Sequence, residues 1–112
     1  MPPAEPPKVL WQDDSAAVVS KPSGMLVHNS AWAGPREPSL RQWVVARLGA
    51  KMSPVNRLDR GASGVVIFAR SGEGDSGSAR AWQAALAEPE TEKLYLALVR
   101  GRLLEPVEVD HP

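Results

Sequence analysis

Asp59 stands in the stretch "VNRLDRGASGVVIFAR", residues 55–70, between Arg57 and Arg60, with a glycine turn and a run of apolar strand formers directly after it. A guanidinium near a carboxylate favours the ionised form, which a nucleophile or general base must have. If "NRLD" is extended, Arg57 and Asp59 project to one face, and Leu58 and Arg60 to the other. The same residues would also make a strand-end ion pair closed by a turn. Taken alone, the tetrapeptide fits both a surface pair and an active-site acid.

Other chemistries find little support. His28 and His111 are far apart in the chain and no carboxylate has ligand-like spacing with either, so no metal is expected. Ser23 and Ser63 lie in "PSG" and "ASG", outside any G-x-S-x-G elbow, and read as turn serines. "SGEGDSG" has neither the glycine spacing nor the lysine of a nucleotide-binding loop. The absence of cysteine excludes disulfides, thiolate metal sites and a cysteine nucleophile. It suits a reducing compartment, so a cytoplasmic location is expected. "MPPAEPPK" has acid and proline where a signal peptide would be basic and then apolar, and "GVVIFA" and "LYLALV" are too short to cross a bilayer. A soluble protein with no membrane partner is expected.

The 13 basic and 13 acidic residues cancel, but their distribution is uneven. Residues 36–70 carry seven bases and two acids, and residues 71–92 one base and five acids. A basic middle with an acidic flank is compatible with an anionic partner for the middle segment or with solvated faces.

Several elements must position these residues. "KVLWQDD" and "AAVVSKP" predict a hairpin about an Asp-Asp-Ser turn. "KPSG" predicts a turn, and "MLVH" an extended segment after it. "NSAWAGPREP" reads as loop. "SLRQWVVARLGA" predicts a helix with Ser39 as N-cap, Leu40, Trp43, Val44 and Leu48 on its apolar face, Arg41 and Arg47 off it, and Gly49 at its stop. "VNRLD" and "GVVIFAR" predict extended segments, "SGEGDSGS" a flexible connection, and "ARAWQAALAE" a second helix. In "TEKLYLALVRGRL" both alternating sets are apolar, which predicts a strand buried on both faces. One α+β domain over residues 8–112, with a mixed, mainly antiparallel sheet and two helices, is expected behind a disordered tail over residues 1–7.

Three segments in order resemble a known family. "NRLDRGASG" followed by an apolar strand resembles the H-R-L-D-x-x-T-S-G signature of the RluA-type RNA pseudouridine synthases. "VVSKPSGMLVH" is similar to their N-terminal segment, and "EKLYLALVRGRL" to a later strand. "KPSGMLVHNSAW" and "VRGRLLEPVEVDHP" look most like the TruC-like branch, which acts on transfer RNA. The resemblance implies a partial catalytic domain that isomerises uridine to pseudouridine in RNA, transfer RNA before ribosomal RNA, without cofactor or metal. It makes Asp59 the catalytic residue that attacks the uridine. Arg57 would enter the space left by the extruded nucleotide, Tyr95 would pack on the base, and Arg60 would also bind substrate. The physical needs agree, since a base in structured RNA must be turned out, the opened backbone held by a cation and the ring received by an aromatic face. Lys21 and Pro22 would shape the cleft floor.

The chain departs from the family at Asn56, usually His, and at Ala62, usually Thr. Asparagine still donates and accepts a hydrogen bond, whereas Ala62 lacks a hydroxyl that could tie the turn beside Asp59. Family members continue past the point corresponding to "EVDHP" and there supply a basic motif that pairs with the aspartate. The expectation is therefore a truncated chain, or one completed by a partner, with self-association possible through an uncovered sheet edge. The alternative function is an inactive RNA-binding or interaction fragment.

Overall fold

The computed structural model describes residues 5–28, 38–72 and 77–109. The expected tail, the loop after His28 and the middle of the Gly/Ser-rich connection lie wholly or mostly outside the described residues. Among these residues four strands form one sheet: β1 (Lys8–Gln12), β2 (Ala16–Lys21), β3 (Met52–Pro54) and β4 (Gly64–Arg70), in spatial order β1-β2-β4-β3. Every pairing is antiparallel. Two helices among the described residues, α1 (Leu40–Leu48) and α2 (Ser78–Ala87), complete the expected α+β class.

The hairpin forms where expected because Asp13 replaces missing backbone pairing. Its carboxylate accepts from the Ser15 and Ala16 N–H groups, each at 2.8 Å, and from the Ser15 hydroxyl at 3.0 Å. The Ser15 N–H bond is the main reason that the Asp13 pKa lies below its ordinary value. Val9 pairs with Val19 and Trp11 with Val18, so a bulge between them moves Trp11 to the opposite sheet face from Val9. Val9 joins the core, and Trp11 meets Trp82 of α2 edge-on with ring centroids 6.4 Å apart.

The core face of the sheet carries Ala17 and Val19 from β2 and Val66 and Phe68 from β4, which are register partners. Leu40 and Val44 of α1, with Val27 and Met52, close over them. The ends of α1 are fixed locally. Ser39 and Gln42 form a reciprocal capping box, and Gly49 takes the left-handed conformation at the C-terminal end (φ 67°).

Three expected extended segments are corrected. Residues 25–28 form no strand: the Leu26 and Val27 carbonyls accept the Leu40 and Arg41 N–H groups at 2.8 Å, satisfying the first turn of α1 instead of a sheet neighbour. Residues 55–59 are irregular, because the main chain leaves the sheet at Asn56, whereas the short strand β3 just before them had no counterpart in the sequence reading. Residues 91–109 contain no regular element, and the expected strand buried on both faces is exposed, with Leu94 at 84% and Leu96 and Leu98 fully accessible. Its backbone and side chains have no sheet layer to meet among the described residues, and an unpaired strand has no hydrogen-bond ladder to hold it. No helix among the described residues is long and apolar enough to cross a membrane.

Candidate functional site

Two loops converge beside the sheet end where Lys21 pairs with Gly64. One is residues 22–28, leaving β2; the other is residues 55–63, between β3 and β4. Lys21 lies on the core-facing side of β2, only 1% exposed, and its ammonium donates to the carbonyls of Pro22 (2.9 Å), Met25 (2.5 Å) and Arg60 (3.1 Å). Burial lowers its pKa below the usual lysine value. The three carbonyls come from both loops, so one cation fixes their relative position.

Further bonds tighten the junction. The Gly24 N–H donates to the Arg60 carbonyl at 2.7 Å, with Gly24 at φ 91°, a conformation that favours glycine. The Ser23 hydroxyl donates to the Gly61 carbonyl at 2.7 Å, and Arg60 Nε to the Gly24 carbonyl at 3.3 Å. The Ala62 N–H closes the turn onto the Asp59 carbonyl at 3.0 Å. The backbone thus supplies the tie that a hydroxyl at position 62 could have made.

Asn56 decides how the second loop leaves the sheet. The Val55 N–H still pairs with Ile67 in ladder fashion, at 2.7 Å to its carbonyl. The next partner is the Asn56 side chain, whose Oδ1 accepts the Ile67 N–H at 2.7 Å while Nδ2 donates to the Val65 carbonyl at 3.1 Å. The amide stands in for a strand residue, so β4 stays satisfied while the main chain is released toward Arg57 and Asp59. The sequence reading saw the hydrogen-bonding capacity of this asparagine without its partners.

Leu58 then packs against the core, while Arg57, Asp59 and Arg60 are exposed. All four line a cleft of about 230 Å³ together with Leu26, Val27 and His28. The expected alternation, with Arg57 and Asp59 on one face and Leu58 and Arg60 on the other, does not hold, because the segment is irregular and all four residues line one cleft. No ion pair joins Arg57 to Asp59 among the described residues. A second cleft of about 430 Å³ shares His28 and Arg57 with the first and adds Ser39, Arg41, Gln42, Ser53 and Pro54. Arg41 carried no site role in the sequence reading; the docking of α1 against residues 26–27 brings it here beside His28.

Tyr95 is not brought to the site. It stands 78% exposed in the irregular segment after α2 and lines neither cleft. His111 is outside the described residues. Among those described, no three His, Cys, Asp or Glu side chains gather as a metal site requires.

With an exposed carboxylate that makes no ion pair to Arg57, and guanidiniums on either side of it, this loop pair can offer a nucleophile beside an anion-binding surface. Its sequence matches the RNA pseudouridylate synthase family over residues 15–112, and the chain belongs to that family. Among curated relatives it is similar to the tRNA pseudouridine synthase C of Haemophilus ducreyi, 37% identical over 105 residues, covering 93% of this chain and 41% of that protein. The protein of the same name from Haemophilus influenzae is 38% identical over 106 residues, covering 94% of this chain and 42% of the relative. That from Vibrio cholerae is 37% identical over 106 residues, with 94% and 41% covered. The chain therefore spans about two fifths of the length of these relatives.

Proposed function

We propose that the chain carries the nucleophile of an RNA pseudouridine synthase and acts on uridine in structured RNA, with transfer RNA as the favoured substrate. The observation that carries this reading is Asp59, exposed on the wall of a cleft beside Arg57 and Arg60 and without an ion pair to Arg57. A surface ion pair, the competing account of the same residues, loses its basis there. The names of the relatives support the choice of transfer RNA. In this reading Asp59 attacks the extruded uridine, the bond from ribose C1′ to base N1 breaks and one from C1′ to base C5 forms, the C5 proton is lost and N1 gains one, and the Asp59 carboxylate is released, with no net change in composition. Arg57 occupies the space the nucleotide leaves. Tyr95 receives the base, which requires residues 91–99 to fold over the cleft. No cofactor or metal enters the reaction, and the setting is cytoplasmic.

The test is pseudouridine formation on transfer RNA by the chain and by Asp59→Asn. Product from the first and only background from the second is expected; equal product from both overturns the role of Asp59. A second reading, an RNA-binding fragment without catalysis, is favoured by one observation, the separation of Tyr95 from the cleft. Retention of transfer RNA that weakens with salt, with no pseudouridine formed by either protein, selects it.

A further inference from the structure

The larger cleft holds chemistry that the isomerisation at Asp59 does not use. Its lining contains Arg41, Arg57 and His28 with the polar side chains of Ser39, Gln42 and Ser53, and no carboxylate among the described residues. Arg41 is anchored, its Nε donating to the Met52 carbonyl at 2.9 Å, which fixes the guanidinium plane. No further hydrogen bond or ion pair engages the guanidinium of either Arg41 or Arg57 among the described residues. The start of α1 supplies little by itself, because its first N–H groups are already bonded to Leu26, Val27 and the Ser39 hydroxyl. An anion here would be held by the two guanidinium forks, whose planar donors suit phosphate oxygens.

We propose that this cleft is a phosphodiester subsite. It holds the RNA phosphate next to the nucleotide presented to Asp59, since the two clefts are neighbours with His28 and Arg57 in both linings. This assignment rests on the RNA reading above for its ligand, but the anion site itself does not. Arg41 is its specific residue, because Arg57 faces both clefts and would respond to either kind of contact. Arg47, on the same helix, lies outside the cleft with its guanidinium 5.8 Å from the Trp43 ring centre and is the matched control.

The experiment uses the full 112-residue chain. Inorganic pyrophosphate is titrated while the arginine Nε–H signals are followed by NMR, and labelled transfer RNA is then bound at several salt concentrations. Saturable shifts at Arg41 and Arg57, absent at Arg47, are expected. Arg41→Gln should weaken pyrophosphate binding about fivefold or more and reduce the salt slope of RNA binding by about one, while Arg47→Gln changes neither. Should Arg41→Gln unfold, Arg57→Gln is read in its place by the pyrophosphate titration, because Arg57 makes no hydrogen bond that the fold needs. Equal shifts at all three arginines, or an unchanged slope in Arg41→Gln, overturn the subsite. Saturation by pyrophosphate in a chain that retains no transfer RNA keeps the anion site and sinks the RNA reading. Salt-dependent RNA retention that ignores Arg41 does the reverse.

Discussion

"GVVIFAR" in β4 and "EKLYLALVRG" after α2 have similar apolar, strand-forming character, yet they end in opposite states. The first is paired with β2 on one side and β3 on the other, and Val66 to Ala69 are buried without interruption. The second has no regular structure, and its leucines face solvent. The difference lies in what surrounds each segment. A strand apolar on both faces needs a neighbour for its backbone and a layer for each face, and β4 has received its ladder partners and, over its core face, α1. Strand propensity is therefore a capacity that tertiary structure must complete.

The sharpest way to break this comparison is to remove one side chain from each segment. Phe68→Ala, in the core of β4, is expected to cost about 3–5 kcal/mol in urea denaturation, and Leu96→Ala less than about 0.5 kcal/mol. A comparable loss at both would mean that residues 91–99 are packed after all. Next in size is Lys21→Met, which leaves the Pro22, Met25 and Arg60 carbonyls without their shared donor. A loss of about 3 kcal/mol is expected, together with faster amide exchange at Gly24, whose N–H meets the same Arg60 carbonyl. Undisturbed exchange there would separate the lysine from the loop junction.

Asn56→Ala probes the edge of the well-paired region. It should cost about 2 kcal/mol, because the Ile67 N–H and the Val65 carbonyl lose their partners, and it should speed exchange at Ile67 relative to Phe68. Unchanged exchange at Ile67 would show that water replaces the amide without loss. The smallest effect is on pH dependence. The folded-state pKa of Lys21 is lowered, so between that value and the ordinary 10.5 the unfolded chain binds more protons than the folded one. The contribution of Lys21 to stability should therefore rise with pH across that interval, measured as wild type minus Lys21→Met. A fall would mean that the three carbonyls favour the ammonium more than burial disfavours it.

Much of this was legible locally. Helix α1 was marked by its apolar spacing, by Ser39 at one end and Gly49 at the other, all short-range signals. The hairpin was marked by Asp13 and by β-branched residues on either side. Two of the misreadings, at residues 25–28 and 55–59, share one cause, which is that a backbone group can be satisfied by something other than a strand. The Leu26 and Val27 carbonyls serve a helix, and the Asn56 amide replaces a stretch of main chain. Strand β3, at three residues ending in proline, was too short to carry a periodic signal.

The sequence by itself determined the α+β class, the family and the presence of Asp59, Arg57 and Arg60 in one loop, because these depend on residue types at short spacing. Only the tertiary structure decided that Arg57 and Asp59 would share a cleft without pairing and that Lys21 would fasten the two loops. It also decided that His28 and Arg41 would join them and that Tyr95 would stand apart. Each of these outcomes depends on which chain segments meet, and segments far apart in sequence meet only where burial and hydrogen bonding together outweigh the entropy of holding them there.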